Sequence, residues 1–263
     1  MNNVRRTGHT STQKMLRLIC VMTAANMKSR YRNTFYGLIW VLLYPILIYV
    51  VQVFAFVYVF KVQQPNYPLY LLAGLIPWIF IVQSVEMSTG IYLQWGHTLK
   101  NMPIPPLIIP FIQLLDNFIN FFSAYYLILM FYLYTGKISF YQIILSIFPT
   151  FTLVVFVTGM CTLFALFNVR FRDLKFVLSF IFTLLFYLTP ICYPLSSVPE
   201  ELKWLIGNNP FYFLLRPFQE LFMRGLTQAF FEYQLISFAM AIGSTTICYL
   251  GWKRFRNMVV FYG

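Results

Sequence analysis

Apolar residues in this chain come in long runs separated by short polar stretches. Crossing about 30 Å of hydrocarbon takes about 20 apolar residues, because a helix satisfies every backbone group within its own segment. Six runs fit that template. They are 38–60, which ends at Lys61; 69–93, with Pro77 and the single charge Glu86; 108–134, with the single acid Asp116; and 143–167, 176–193 and 231–252. The pattern predicts an all-α integral membrane fold in which residues 1–263 form a single transmembrane domain of six transmembrane helices.

Two stretches outside these runs have patterns of their own. Residues 194–230 are moderately apolar but broken by Pro199, Asn208-Asn209-Pro210, Pro217 and Gly225. They are too interrupted to cross, so a re-entrant helical hairpin before the last span is expected. Within 13–32, Met15, Leu18, Ile19, Met22 and Ala25 recur at helical spacing, with Lys14, Arg17, Ala24 and Lys28 on other faces. That spacing predicts an N-terminal amphipathic interfacial helix at the headgroup level; the alternative is a basic tail that only sets topology.

Composition agrees with burial in lipid: 60% of residues are apolar and 10% charged, with a mean hydropathy of +0.71. Too little polar surface remains to dress a water-soluble globule. The net charge of +12 would suit nucleic acid if it formed one patch. It is distributed between the apolar runs instead. Arg5, Arg6, Lys14, Arg17, Lys28, Arg30, Arg32, Lys100, Arg170, Arg172, Lys175, Lys253, Arg254 and Arg256 fall on one side of a six-span topology. Only Lys61, Lys137, Lys203, Arg216 and Arg224 fall on the other, three of them in a loop shared with Glu200, Glu201 and Glu220. The positive-inside rule then puts both termini in the cytoplasm, and anionic lipids rather than nucleic acid account for the basic excess.

Several chemistries are excluded. No GxxxxGK[ST] phosphate loop exists, since Gly136-Lys137 is followed by Ile138 and position 131 is Phe. Two histidines, His9 and His97, cannot build a metal centre with four scattered cysteines that form no CxxC pair. Cys20, Cys161, Cys192 and Cys248 read as free thiols. Nothing resembling GxSxG or a carboxylate pair is present, so neither catalysis nor a cofactor is expected of this chain. The basic N-terminal stretch lacks the pattern of a removable signal peptide.

Polar residues inside the runs carry the remaining information, because ionisable groups at membrane depth are costly. Gln83, Glu86, Gly90 and Gln94 form one stripe, and Gln113, Asp116 or Asn117, Asn120 and Ala124 form another. Each reads either as a hydrated passage or as a hydrogen-bonded contact between helices. Aromatic residues make up 21% of the chain, with Tyr36, Trp40 and Tyr44 at i, i+4, i+8 and Tyr49 further along. They read either as interfacial belt and packing or as a surface on which sugar C–H faces slide.

Five segments, in order, resemble one known family. Arg30 to Pro45 (RYRNTFYGLIWVLLYP), Gly74 to Phe80 (GLIPWIF) with Leu99 to Pro110 (LKNMPIPPLIIP), Asn168 to Leu174 (NVRFRDL), Leu188 to Pro199 (LTPICYPLSSVP) and Asn208 to Gln219 (NNPFYFLLRPFQ) look like the membrane subunit of type-2 ABC exporters of polysaccharides. Pro106 departs from the pattern, where a basic or bulkier residue is expected. The resemblance implies a homodimer joined to two copies of a separate nucleotide-binding subunit, with ATP and Mg bound there. It implies export of a glycan on a polyprenyl pyrophosphate lipid across the bacterial inner membrane, an O-antigen in preference to a teichoic acid or capsular glycan. A lipid or drug exporter of the same fold is the next alternative, and a membrane-embedded glycosyltransferase lies outside the class. On this reading Arg17, Lys100, Met102, Arg170, Arg172 and Asp173 are expected to meet the ATPase. Lys28, Arg30 and Arg32 would meet the pyrophosphate headgroup, and Tyr36, Trp40, Tyr44, Tyr49, Gln83, Glu86 and Asn120 would line the glycan path.

Overall fold

The computed structural model describes residues 9–30, 39–62, 64–96 and 105–262, with side chains placed for 15–28, 39, 43–62, 64–96 and 105–254. The chain is all-helical, and no strand occurs among the described residues. In order come α1 (His9–Arg30), α2 (Ile39–Phe54) running into a π turn (Ala55–Val59), α3 (Tyr67–Thr89), α4 (Ile91–Gln94), α5 (Ile108–Tyr134) and α6 (Phe140–Leu145). Then follow α7 (Ile147–Arg170), α8 (Leu174–Leu188), a 3-10 turn (Leu195–Ser197), α9 (Glu200–Gly207), α10 (Pro210–Met223) and α11 (Gln228–Tyr262).

Among the described residues, four helices are long and apolar enough to cross a membrane: Tyr67–Thr89, Ile108–Tyr134, Phe140–Arg170 and Gln228–Arg254. Of the other two apolar runs, one gives α2 with its π turn and the other the shorter helix α8, Leu174–Leu188. A proline shapes each. In the first, Pro45 sits inside α2 without an N–H to donate, and the ladder widens to the π turn before Phe60. In the second, Thr189 turns to extended backbone ahead of Pro190, where a helical residue would clash with the proline ring. The 15 residues of α8 rise only about 22 Å.

α3 is the central helix and the most buried of the four, packed by α2, α5, α7, α8 and α10. Its start is fixed by Asn66 in the left-handed region, at φ 51°, and by Pro68 in the first turn. α11 is peripheral, resting along α7 and α10. Small residues set the spacing of α7 and α11: a Cβ on Gly159 would lie 2.7 Å from the Ser244 carbonyl carbon. Ser244 Oγ donates across the same contact to the Phe156 carbonyl at 3.1 Å. Other hydroxyls turn back onto their own helices, Thr158 to Val154 O at 2.7 Å and Thr183 to Ser179 O at 2.9 Å, so they sit in apolar runs without orphaned protons.

The two ends of the bundle differ. At one, Ile91, Tyr92, Ile109, Ala165, Leu166 and Val169 form a small apolar cluster closed by Leu18, Met22, Trp95 and Trp252. At the other, the segment between α8 and α11 folds onto α3. Its non-helical carbonyls are satisfied by side chains: Tyr67 Oη donates to Cys192 O at 2.8 Å, and Gln219 Nε2 donates to Pro190 O at 3.1 Å. Tyr70 Oη lies within reach of both Pro190 O and Tyr193 O, at 3.0 and 2.9 Å. Asn209 caps α10 by accepting from Phe211 N at 3.0 Å and donates to Thr189 Oγ1 at 2.9 Å.

Candidate functional site

α1 lies against α5 through a polar contact. Asn26 Nδ2 donates to Asp116 Oδ2 at 3.1 Å and to Gln113 Oε1 at 3.3 Å, while Gln113 Nε2 reaches Met87 Sδ at 3.9 Å. Asp116 and Gln113 are both buried. The α5 stripe therefore serves as a helix contact at these two positions, and Asn120 continues it half-buried. The inward face of α1 is turned slightly from the one its apolar residues suggest. Thr23 and Asn26 point in with Leu18 and Met22, whereas Met15 and Ala25 are exposed. A buried carboxylate on α5 outweighs one methyl group in setting that rotation. Arg17 and Lys28 remain exposed on the outer side.

The turn after α7 is the second surface feature at this end. Arg170 closes α7, where a cation complements the negative end of the helix dipole, and Phe171, Arg172, Asp173 and Lys175 follow, all exposed. Leu166 and Val169, one turn earlier, belong to the same cluster that holds Leu18 and Met22. α1 and the turn thus share one apolar base. Lys100, Met102, Arg32 and Tyr36 lie outside the described residues, as do the side chains of Arg30 and Trp40.

The remaining path candidates separate. Tyr44 is 53% exposed on α2. Tyr49 is buried; its hydroxyl lies 2.7 Å from Tyr132 Oη and donates to Pro68 O at 2.9 Å, which ties α2 to α3 and α5. Gln83 is half-buried. Glu86 faces an open groove of about 340 Å³ between α3 and α8, together with Trp78, Ser179, Thr183, Phe186 and Tyr187. A carboxylate, two hydroxyls and aromatic edges in one groove suit a hydroxyl-rich ligand.

The polar hairpin holds residues that sequence reasoning took only as loop charges. Arg216 and Glu220, one helical turn apart on α10, form a buried ion pair, and Arg224 Nη1 stands 3.7 Å from the same carboxylate oxygen. The Arg216 guanidinium lies 5.7 Å from the Tyr212 ring centroid and 5.9 Å from that of Tyr233. Burial pushes the Tyr212 phenol up, partly offset by the Arg216 charge, so it stays protonated. The i, i+4 spacing of Tyr212, Arg216 and Glu220 was the available signal.

Three membrane-length helices packed with a buried fourth, α3, and a basic turn and a docked helix at one end, define a multi-pass helical membrane protein among the described residues. The chain belongs to the ABC-2 type transporter family, whose membrane-protein model matches residues 17–223. It is 30% identical over 228 residues to an O-antigen export system permease protein RfbA of Klebsiella pneumoniae, covering 86% of each chain. A second Klebsiella pneumoniae RfbA is 29% identical over 88% of each chain. The Myxococcus xanthus RfbA is 30% identical over 78% of this chain and 80% of its own.

Proposed function

We propose that this chain is the permease subunit of an ABC exporter that moves lipid-linked O-antigen across the bacterial inner membrane. The observation that carries the reading is the match to O-antigen export permeases along most of both chains. A separate ATPase subunit binds ATP and Mg, which fits a sequence without a phosphate loop. Two copies of this chain join two copies of that ATPase, and the exposed apolar flanks of α2 and α8 are available to a second copy. Six passes, that of α8 short, and a re-entrant hairpin put both termini in the cytoplasm.

In this arrangement Arg17, Lys100, Met102, Arg170, Arg172 and Asp173 meet the motor. Lys28, Arg30 and Arg32 hold the lipid pyrophosphate at the headgroup plane by charge-assisted hydrogen bonds. The glycan then passes Tyr36, next Trp40 and Tyr44 of α2, and the groove of Glu86 between α3 and α8. Stacking on sugar faces tolerates varied glycan sequences and lets a polymer slide. The test is deletion of this chain in a cell that makes a lipid-linked O-antigen. Surface O-antigen is lost and lipid-linked glycan accumulates on the inner side, with both restored by the wild-type chain. Undiminished surface glycan after deletion would refute the assignment.

A further inference from the structure

Glu86 brings a carboxylate to the open groove between α3 and α8. It is half-buried on a span of membrane length, where a lone charge is costly and is normally answered by a cation or by hydrogen-bond donors. Among the described residues Glu86 takes part in no ion pair and no hydrogen bond. Lys175 precedes Ser179 by one turn of α8, but it is exposed and outside the groove wall, so water and salt screen it. The rest of the wall is uncharged. Trp78 and Val82 stand two turns and one turn from Glu86 on α3, and Ser179, Thr183 and Tyr187 follow at i, i+4 and i+8 on α8. The Thr183 hydroxyl already donates to the Ser179 carbonyl at 2.9 Å, which leaves its oxygen as an acceptor.

A solute in this groove therefore meets a fixed negative charge with no positive one beside it. The hydroxyls of a neutral polyol can donate to the carboxylate. A uronate or a phosphodiester has no proton to offer there, and apolar walls screen its repulsion from Glu86 less than bulk water would. We propose that Glu86 is a specificity-determining residue, which admits uncharged glycan to the groove and rejects polymers that carry an anion in each repeat. The inference rests on the exporter reading and narrows its cargo, since a polyphosphate such as a teichoic acid falls in the rejected class. The lipid's own pyrophosphate crosses once per polymer, whereas an anion in each repeat would meet Glu86 at every step.

The test uses the full chain with its ATPase subunit in two cell strains. One makes a lipid-linked O-antigen with neutral repeats, and the other makes the same glycan with one uronic acid per repeat. In each strain surface glycan is divided by the lipid-linked pool inside, and the two quotients are compared. The wild type should favour the neutral glycan by about tenfold or more. Glu86→Gln, which keeps the shape and removes the charge, should bring the ratio close to unity. Thr183→Lys leaves Glu86 in place and sets a cation on the facing helix; it should lower the ratio too, so the test survives a Glu86→Gln chain that inserts poorly. Glu201→Gln, which removes an exposed carboxylate of the hairpin, should leave the ratio where it was. Equal export of both glycans by the wild type overturns charge selection and leaves the exporter reading standing, as does a preference that neither groove variant lowers. A preference that falls as far in Glu201→Gln traces to net charge and overturns it as well. An inserted wild-type chain that exports neither glycan overturns the exporter reading, and the selection with it.

Discussion

Asn26 shows how much one side chain can decide. Its amide links α1 to the buried Asp116 carboxylate at 3.1 Å and to Gln113 at 3.3 Å. Asn26→Leu removes both donated bonds, at a cost of about 1–3 kcal/mol to the docking of α1. Faster amide exchange across 15–28, with the core helices unchanged, is the expected readout; unchanged exchange would show that apolar contacts alone seat α1. Arg170 and Arg172 are exposed, and the helix-dipole contribution lost by reversing Arg170 is at most about 1 kcal/mol at an exposed helix end. Reversing both to Glu should leave the protein inserted and folded while ATP turnover and glycan export part company. Normal export from the doubly reversed chain would take the turn out of the motor contact. Cysteine accessibility gives a third measurement: Cys20 is exposed, whereas Cys161 and Cys192 are buried. A maleimide should label Cys20 in the folded protein and reach the other two only after denaturation.

Among the elements, the α7–α11 contact is set by the absence of a side chain. Gly159→Ala would bring a methyl group within 2.7 Å of the Ser244 backbone, so the helices must separate. Overpacking of this kind costs about 1–3 kcal/mol, seen as a lower thermal midpoint in detergent. Gly243→Ala, whose Cβ meets nothing within 4 Å, is the control and should leave the midpoint unchanged or slightly raised. The helices themselves were legible in the sequence, because a run without charges has only one way to satisfy its backbone in lipid. Where the reading and the structure part, a tertiary partner or a proline intervenes. The run ending at Tyr193 stops being helical at Leu188, since Tyr67, Tyr70 and Gln219 take up its carbonyls from a distance in sequence that no periodicity reports. The inward face of α1 was misjudged for a similar reason. Asp116 is 90 residues from Asn26, so the rotation it imposes leaves no local trace.

At the scale of the whole molecule, the candidate site is two surfaces at opposite ends of one bundle, joined by α3. Basic residues at one end were visible as a charge count; the Arg216–Glu220 pair at the other was hidden, because a buried ion pair and a loop charge look alike in one dimension. Placement of the ends is open to direct measurement. A tag at either terminus should resist an impermeant protease in intact cells and be cut in inverted vesicles; cutting of both from outside would reverse the topology. One dimension of the fold has a mechanical consequence. α11 is 35 residues long, about 52 Å of rod set in a hydrocarbon slab of about 30 Å. Standing close to upright it exceeds even the roughly 40–45 Å of slab and headgroups together, so an end of it emerges as a mast beyond the phosphates. Whatever is fused to that mast stands free of the lipid, where a label can be read without disturbing the spans.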